Sequence, residues 1–365
     1  LSFLETLGGL LGEWVQSGRA SRERAMGKAR HSAERIAAAQ PEAVVGQEGT
    51  DATEVGDALD RGAALATEVF DRMGFDAELA AGSEPSASLS ADSEQVLAAT
   101  ALVRRGRIFS LARDRFPGMP LFPGHPAFEV LSYRTPQGIR AAGDRPWGAR
   151  NEAGLGYMSE LVMSTTHSGA HIDAHAHMTI GPDDHWNSGS ATRHLGDFGP
   201  LRGDATEIPP LWRRGVLYDV PGHRGVEHLG RGEAVTAAEL EQIEAASGVA
   251  AGRGDVALVR TGHMRLWPDP DRMAEHRGPG PEESAARLLA DRGVVATGSD
   301  TETYEVQPAP DPGEPSNPQP VHTLLLIERG IYIMESLDLE GLARAGAREF
   351  LFVALPLRIR GATGS

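Results

Sequence analysis

The sequence predicts an α/β domain over residues 101–365, a layered sheet with helices packed against it, behind a helical, acidic N-terminal extension over residues 1–100. Two observations carry this fold class. From residue 101 onward, short apolar runs recur between Gly and Pro and are largely unalternating, as strands buried on both faces are. Helix signals fall between those runs, the order that gives a sheet covered by helices. Composition agrees: 40% hydrophobic and 24% charged residues lie in the globular range, and 365 residues allow one large domain with an appendage.

Taken in order, the chain opens with Leu4, Leu7, Leu11, Trp14 and Val15 at three- and four-residue spacing, an amphipathic helix followed by a basic one between Arg19 and Arg35. Residues 41–100 carry thirteen acids against only Arg61 and Arg72. Within them Val55, Leu59, Ala66, Phe70 and Met73 form a second helical stripe stopped at Gly74, and the Gly/Ser/Ala bias over Ala80–Ala91 reads as linker. Gly106–Leu111 then reads as a strand, and the Pro/Gly-rich Phe116–Pro126 as a rigid turn. Further strands are expected over Tyr157–Met163, Gly215–Val220, Val256–Thr261, Val294–Gly298, Thr323–Ile327, Ile331–Met334 and Phe350–Leu355. The capping-box spacing of Thr236 and Glu239 opens a helix through Ile243, and Pro281–Asp291 supplies another. The Pro-rich segment Val306–Val321 is expected to be an irregular loop, a candidate cover for a site.

Charge and composition narrow the partners. A net charge of −16 without a basic stripe argues against nucleic acid, and no run approaches the eighteen apolar residues of a membrane span. With no cysteine, any metal must be held by His, Asp or Glu. Glu5 and Glu13 interrupt the apolar stretch Leu1–Val15, so no secretory signal is expected and the cytoplasm is the default. A small-molecule substrate is the expected partner.

One tract points to chemistry. Ser164–His177 holds four of the thirteen histidines, and at period two His167, Gly169, His171, Asp173, His175 and His177 share one face of an extended segment. A helix would align only His167, His171 and roughly His175. Imidazole and carboxylate on one face suit a divalent metal such as zinc or manganese, which activates water near neutral pH. A solvated His-rich loop is the plainer reading. Downstream, Asp184-His185-Trp186-Asn187 combines an aromatic wall with polar groups, as a substrate pocket would, or else is a surface turn with Trp186 packed inward. Phe122, Trp147 and Trp212 are further pocket candidates, and His125 and His263 stand out among the remaining histidines.

The run His167-Ser168-Gly169-Ala170-His171-Ile172-Asp173-Ala174-His175-Ala176-His177 resembles the signature His-x-Gly-Thr-His-x-Asp-x-Pro-x-His of the cyclase family of metal-dependent hydrolases, which includes kynurenine formamidase, isatin hydrolase and trans-dienelactone hydrolase. The chain departs from it at Ala170, for Thr, and at His175, for Pro. Gly106–Pro126, Gly215–Val220, Gly254–Gly262, Gly298–Asp300, and His322 through Leu337 resemble other segments of the family, so the likeness spans about residues 101–360 and leaves residues 1–100 outside it.

The resemblance implies a layered β/β/α domain of swivelling type with a mixed sheet. It implies that His167, His171 and Asp173 bind a metal, Asp173 bridging to a second one held by His177, His322 and Glu335. In members with one metal, the equivalent of His177 acts as base, and both arrangements stay open. From the residues alone, His322 and Glu335 would be an ordinary core or surface histidine and a paired surface acid. His175, in place of proline, is expected to contact substrate or to be a satisfied polar group, and Ala170 removes a hydroxyl from the surroundings of the ligands. The implied activity is hydrolysis of a carbon–nitrogen or carbon–oxygen bond in an amide, imide, N-formyl arylamine or lactone by a homodimer or homotetramer. Two rival expectations are a metal-dependent cyclase or lyase acting on a polyketide-like intermediate and a non-catalytic metal-binding protein.

Overall fold

A computed structural model describes residues 93–365 apart from 198, 312, 314 and 315, all within the unit Glu84–Ser365. The helical stripes expected over Leu4–Val15 and Val55–Met73 lie outside the described residues. Helix α1 (Ser93–Thr100) belongs to this unit: Gln95 accepts a hydrogen bond from Arg213, and Trp212 donates to Thr100 Oγ1 at 2.8 Å. No described helix is long and apolar enough to cross a membrane.

The remaining elements follow the predicted alternation. Strands β1 (Glu129–Arg134) and β2 (Ser159–Met163) form an antiparallel pair of their own. The main sheet is built from β3 (His171–Asp173), β4 (Leu211–Asp219), β5 (Val256–Arg260), β6 (Ala296–Ser299), β7 (Tyr332–Glu335) and β8 (Glu349–Ala354), in the order β8-β4-β5-β6-β7-β3. The four central strands run parallel, and β8 and β3 close the edges antiparallel. The sheet is therefore mixed, as expected. Helix α2 (Ala237–Ser247) lies between β4 and β5, and α3 (Glu283–Asp291) between β5 and β6. Thr236 caps α2 by accepting from the Glu239 N–H at 3.2 Å.

On the central strand the unalternating run has the predicted cause, whereas Leu161, Val162 and Met163 of β2 are exposed rather than buried on both faces. On β5, Ala257 and Val259 enter a core with Leu240 and Ile243 of α2 and Leu289 of α3, while Val256 and Leu258 enter a second core with Ile208, Leu342 and Phe352. Both faces of the strand are out of water, and each buried Val or Leu contributes on the order of 1.5–3 kcal/mol.

Two expectations fail. Thr323–Ile327 is a wide helical turn (Thr323–Glu328) that continues the short helix Pro320–His322, because a five-residue apolar run has no period to distinguish a buried helix from a strand. Gly106–Leu111 is extended but pairs with no strand among the described residues; Leu111 C=O instead accepts from the Asp338 N–H at 2.8 Å.

Candidate metal centre

The carboxyl end of β7 meets the edge strand β3 in a register that sets His171 opposite Glu335 and Asp173 opposite Ile333. Directly paired residues share a face, so His171, Asp173 and Glu335 converge on one side of the sheet, all buried. His171 Nε2 stands 3.4 Å from Asp173 Oδ1 and 3.4 Å from Glu335 Oε2. His322, 149 positions beyond Asp173 and carried by the helix after the Pro-rich loop, brings Nε2 to 3.3 Å from Glu335 Oε1 and 4.0 Å from Asp173 Oδ2. His167 Nδ1 lies 2.8 Å from Asp173 Oδ1.

The tract is not one strand. Extended pairing stops at Asp173, and His175–His177 form a single tight helical turn. That turn reverses the two histidines' directions. His177 swings back, stacking on His167 with ring centroids 4.0 Å apart and lying 6.2 Å from His322. His175 goes the other way, its ring 4.3 Å from and nearly parallel to Tyr332. Tyr332 and Met334 point into the second core, opposite Ile333 and Glu335, so His175 is separated from the ligand face by the sheet. Strict alternation over all six odd positions is thereby corrected, and His175 is packed on Tyr332 and hydrogen-bonded to the Gly330 backbone.

The donor set suits a cation. Ligand atoms of His167, Asp173 and His177, and those of His171, Asp173 and Glu335, form two clusters, each within 4.8 Å and both sharing Asp173. This grouping differs from the expected one, pairing His177 with His167 and Glu335 with His171. Among the described residues, the ion pairs of Asp173 and Glu335 are all with histidines. His171 Nε2 and Asp173 Oδ2 find no hydrogen-bond partner among the described residues, although buried groups of this kind are ordinarily satisfied. Two oriented imidazoles explain where the lone pairs point. His171 Nδ1–H donates to Gly169 C=O at 2.8 Å and His322 Nδ1–H donates to Glu305, leaving each Nε2 facing the acids.

Electrostatics in the metal-free protein follow. Burial alone would lower His171 and His322, but the acids beside them outweigh it and raise both to about 10. Burial would raise Asp173 and Glu335, yet the surrounding imidazoles hold both below the usual carboxylate range. Burial lowers His177 to about 4, so it is neutral at pH 7.

A cleft opens beside His167 and His171, walled by Phe122, Trp267 and Met273, with Glu302 and Ser336 supplying polar groups. Glu302 pairs with Arg277, whose guanidinium lies over Phe122. Of the pocket candidates, Phe122 lines this cleft. His185 is exposed and bonded to Asp183 at 2.8 Å, while Trp186 is packed inward and donates to Arg202 C=O. Trp147 packs edge-on against Tyr157, and Trp212 is engaged by α1. His125 is hydrogen-bonded to His167 C=O at 3.1 Å; His263 is buried beyond the lining residues. The Val306–Val321 loop borders a separate cleft with Glu283 and Arg287.

Sequence reading missed Trp267, Glu302 and Glu305, as well as the chain's last residues. Thr363–Ser365 run along β3: Ile172 and Ser365 exchange backbone hydrogen bonds at 3.0 Å, and Thr363 Oγ1 sits 3.0 Å from His167 Nε2. Gly364 is required there, because a Cβ would lie 2.8 Å from the His167 ring. Asp300, Glu302 and Glu305 on one short segment were the one available signal, three acids following a strand.

The family model described as "Putative cyclase" matches residues 109–306. A crystal structure described as a novel cyclase superposes with a TM-score of 0.65 at 24% identity, covering 75% of this chain and 91% of that one. Isatin hydrolase A from Ralstonia solanacearum superposes with a TM-score of 0.53 at 21% identity, covering 76% of this chain and 95% of that one. No curated protein matches the chain.

Proposed function

This chain belongs to the cyclase family, and from that premise we propose that it is a metal-dependent hydrolase opening a carbon–nitrogen or carbon–oxygen bond of a small cyclic or N-acylated substrate. The observation that carries the reading is the pair of donor clusters sharing Asp173, with buried, unpartnered Nε2 and Oδ2 atoms aimed into them. His167, His171 and Asp173 are the ligands of a divalent cation, zinc or manganese, both of which suit nitrogen and carboxylate donors. His177, His322 and Glu335 either complete a second cation site or serve as the acid/base group. When bound, the cation supplies Lewis acidity and lowers the pKa of water.

The chain's own side chains do the rest. Phe122, Trp267 and Met273 offer apolar surface to hold the body of a substrate against the donor clusters and keep water away from it. To His177, neutral at pH 7 and stacked on His167, we assign the role of taking a proton and returning it to the leaving nitrogen or oxygen. Glu302 and Ser336 on the cleft wall present hydrogen-bonding groups that orient polar substituents.

A panel of lactones, imides and N-formyl anilines tests the substrate class. In oxygen-18 water the product of hydrolysis carries the label, whereas an unlabelled product from an active substrate would favour the family's other chemistry, a cyclisation or elimination. Metal content unaccompanied by turnover, unchanged by His177→Ala, would favour a binding protein.

A further inference from the structure

Glu305 stands behind the donor set, one step removed from it. Its carboxylate is 1% exposed, and it makes three contacts with two adjacent residues. Oε1 accepts the backbone N–H of His322 at 3.0 Å and also the Nδ1–H of the same residue, while Oε2 accepts the backbone N–H of Val321 at 3.1 Å. Backbone and ring of His322 are thus gripped by one group, which removes the ring's rotational freedom.

A carboxylate can only accept, so it places the single proton of a neutral imidazole on Nδ1 and turns the Nε2 lone pair outward. That lone pair faces Glu335 Oε1 at 3.3 Å and Asp173 Oδ2 at 4.0 Å. The partner of Glu305 in the ion pairs of the described residues is His322 itself. Glu305 therefore adds a third buried acid to Asp173 and Glu335, without bringing an arginine or lysine to offset it. His171 shows the contrast: its Nδ1–H is held by a neutral carbonyl, that of Gly169. A carboxylate partner makes the opposite nitrogen a stronger donor than a carbonyl does.

We infer that Glu305 is a positioning residue of the metal centre, fixing His322 in the orientation and tautomer that present Nε2 to a divalent cation held with Asp173 and Glu335; the inference rests on the metal-dependent reading above. Glutamine has the same shape but one acceptor fewer. In Glu305→Gln the amide NH2 either faces Nδ1, driving the ring proton to Nε2, or faces the Val321 N–H and loses that bond.

The test uses the full chain, stripped with a chelator and titrated at pH 7 with Co²⁺ and with Mn²⁺, following the visible Co²⁺ bands and calorimetric affinity. Glu305→Gln is expected to bind about 10–100-fold more weakly than wild type, the usual cost of losing a ligand's supporting partner, with altered Co²⁺ bands. Its metal-free melting temperature stays within a few degrees of wild type. Glu305→Asp, which keeps the carboxylate, is expected to fall between the two; a purely structural cap would rank the isosteric glutamine above the shorter aspartate. Wild-type affinity and spectrum in Glu305→Gln, or a glutamine variant that outperforms aspartate, would overturn the inference alone. Absence of Co²⁺ and Mn²⁺ binding by wild type would overturn it together with the metal-dependent reading.

Discussion

Two buried polar clusters occupy the carboxyl edge of the parallel strands, and they are built to opposite rules. At the ends of β4, β5 and β6 every charge is answered. Arg260 donates to Asp219 at 2.6 Å and to Glu340 at 2.7 Å, and Asp300 accepts from Thr261 N–H, Thr261 Oγ1–H and Gly262 N–H at 2.7–2.8 Å. At the end of β7, Asp173 and Glu335 are opposed by imidazoles only, and His171 Nε2 and Asp173 Oδ2 are left without a hydrogen bond among the described residues. The first cluster is complete as folded and holds the strand ends together. The second offers converging donors of the kind that hold a cation. Burial is common to both, so what separates them is the donor set: an arginine and backbone amides answer the acids of the first, whereas imidazoles and carboxylates converge on one another in the second.

The comparison breaks most visibly at the shared acid. Asp173→Asn should abolish tight metal binding, beyond the ~100-fold that follows loss of a merely supporting residue, and turnover with it. Metal analysis and activity assays check this, and retention of metal would remove Asp173 from the centre. Its metal-free stability should change less than that of Arg260→Met, which leaves Asp219 and Glu340 only the longer pairs to Arg348 at 3.8 Å and Arg265 at 3.6 Å and should cost up to about 3–5 kcal/mol in urea unfolding. The Arg260 variant, where folded, should bind metal as wild type does.

The pH response sharpens the contrast. In the metal-free protein the folded-state pKa of His171 and of His322 is raised to about 10, above the ordinary value of about 6.5. Their stabilisation is therefore complete below about pH 6.5 and is lost as pH climbs through 10. Thermal melts of chelator-treated protein between pH 7 and 10 should fall steadily. Metal binding must displace these protons, so affinity should rise over the same interval and calorimetry in buffers of different ionisation enthalpy should detect proton release. A pH-independent affinity would contradict protonated ligands.

The smallest effect is expected across the sheet. His175→Phe keeps a flat ring against Tyr332 but gives up the ring's hydrogen bond to the Gly330 backbone. Its stability should fall by about 1 kcal/mol, the typical worth of one hydrogen bond, with metal content unchanged.

Much of this centre was legible in the sequence because its signal is local. His167, His171 and Asp173 lie within seven residues, and the alternation of strand side chains suffices to bring His171 and Asp173 to one face. The roles of His322 and Glu335 came from the resemblance, since a single histidine before an apolar run carries no mark of its own. His175 was misplaced because the period-two reading cannot see where the strand ends. Glu305 left only the run of three acids after a strand as a signal and Thr363 none, since each reaches the centre through tertiary contact from a segment with no ligand spacing. Thr323–Ile327 was lost for a related reason, a run too short to show helical period.

The most direct test is the metal content of the full chain purified without added metal, measured beside Asp173→Asn. Roughly one to two equivalents of a transition metal per wild-type chain, and near none in the variant, are expected of a centre that folds around its cation. Less than about half an equivalent in the wild type, or equal content in both proteins, would contradict it.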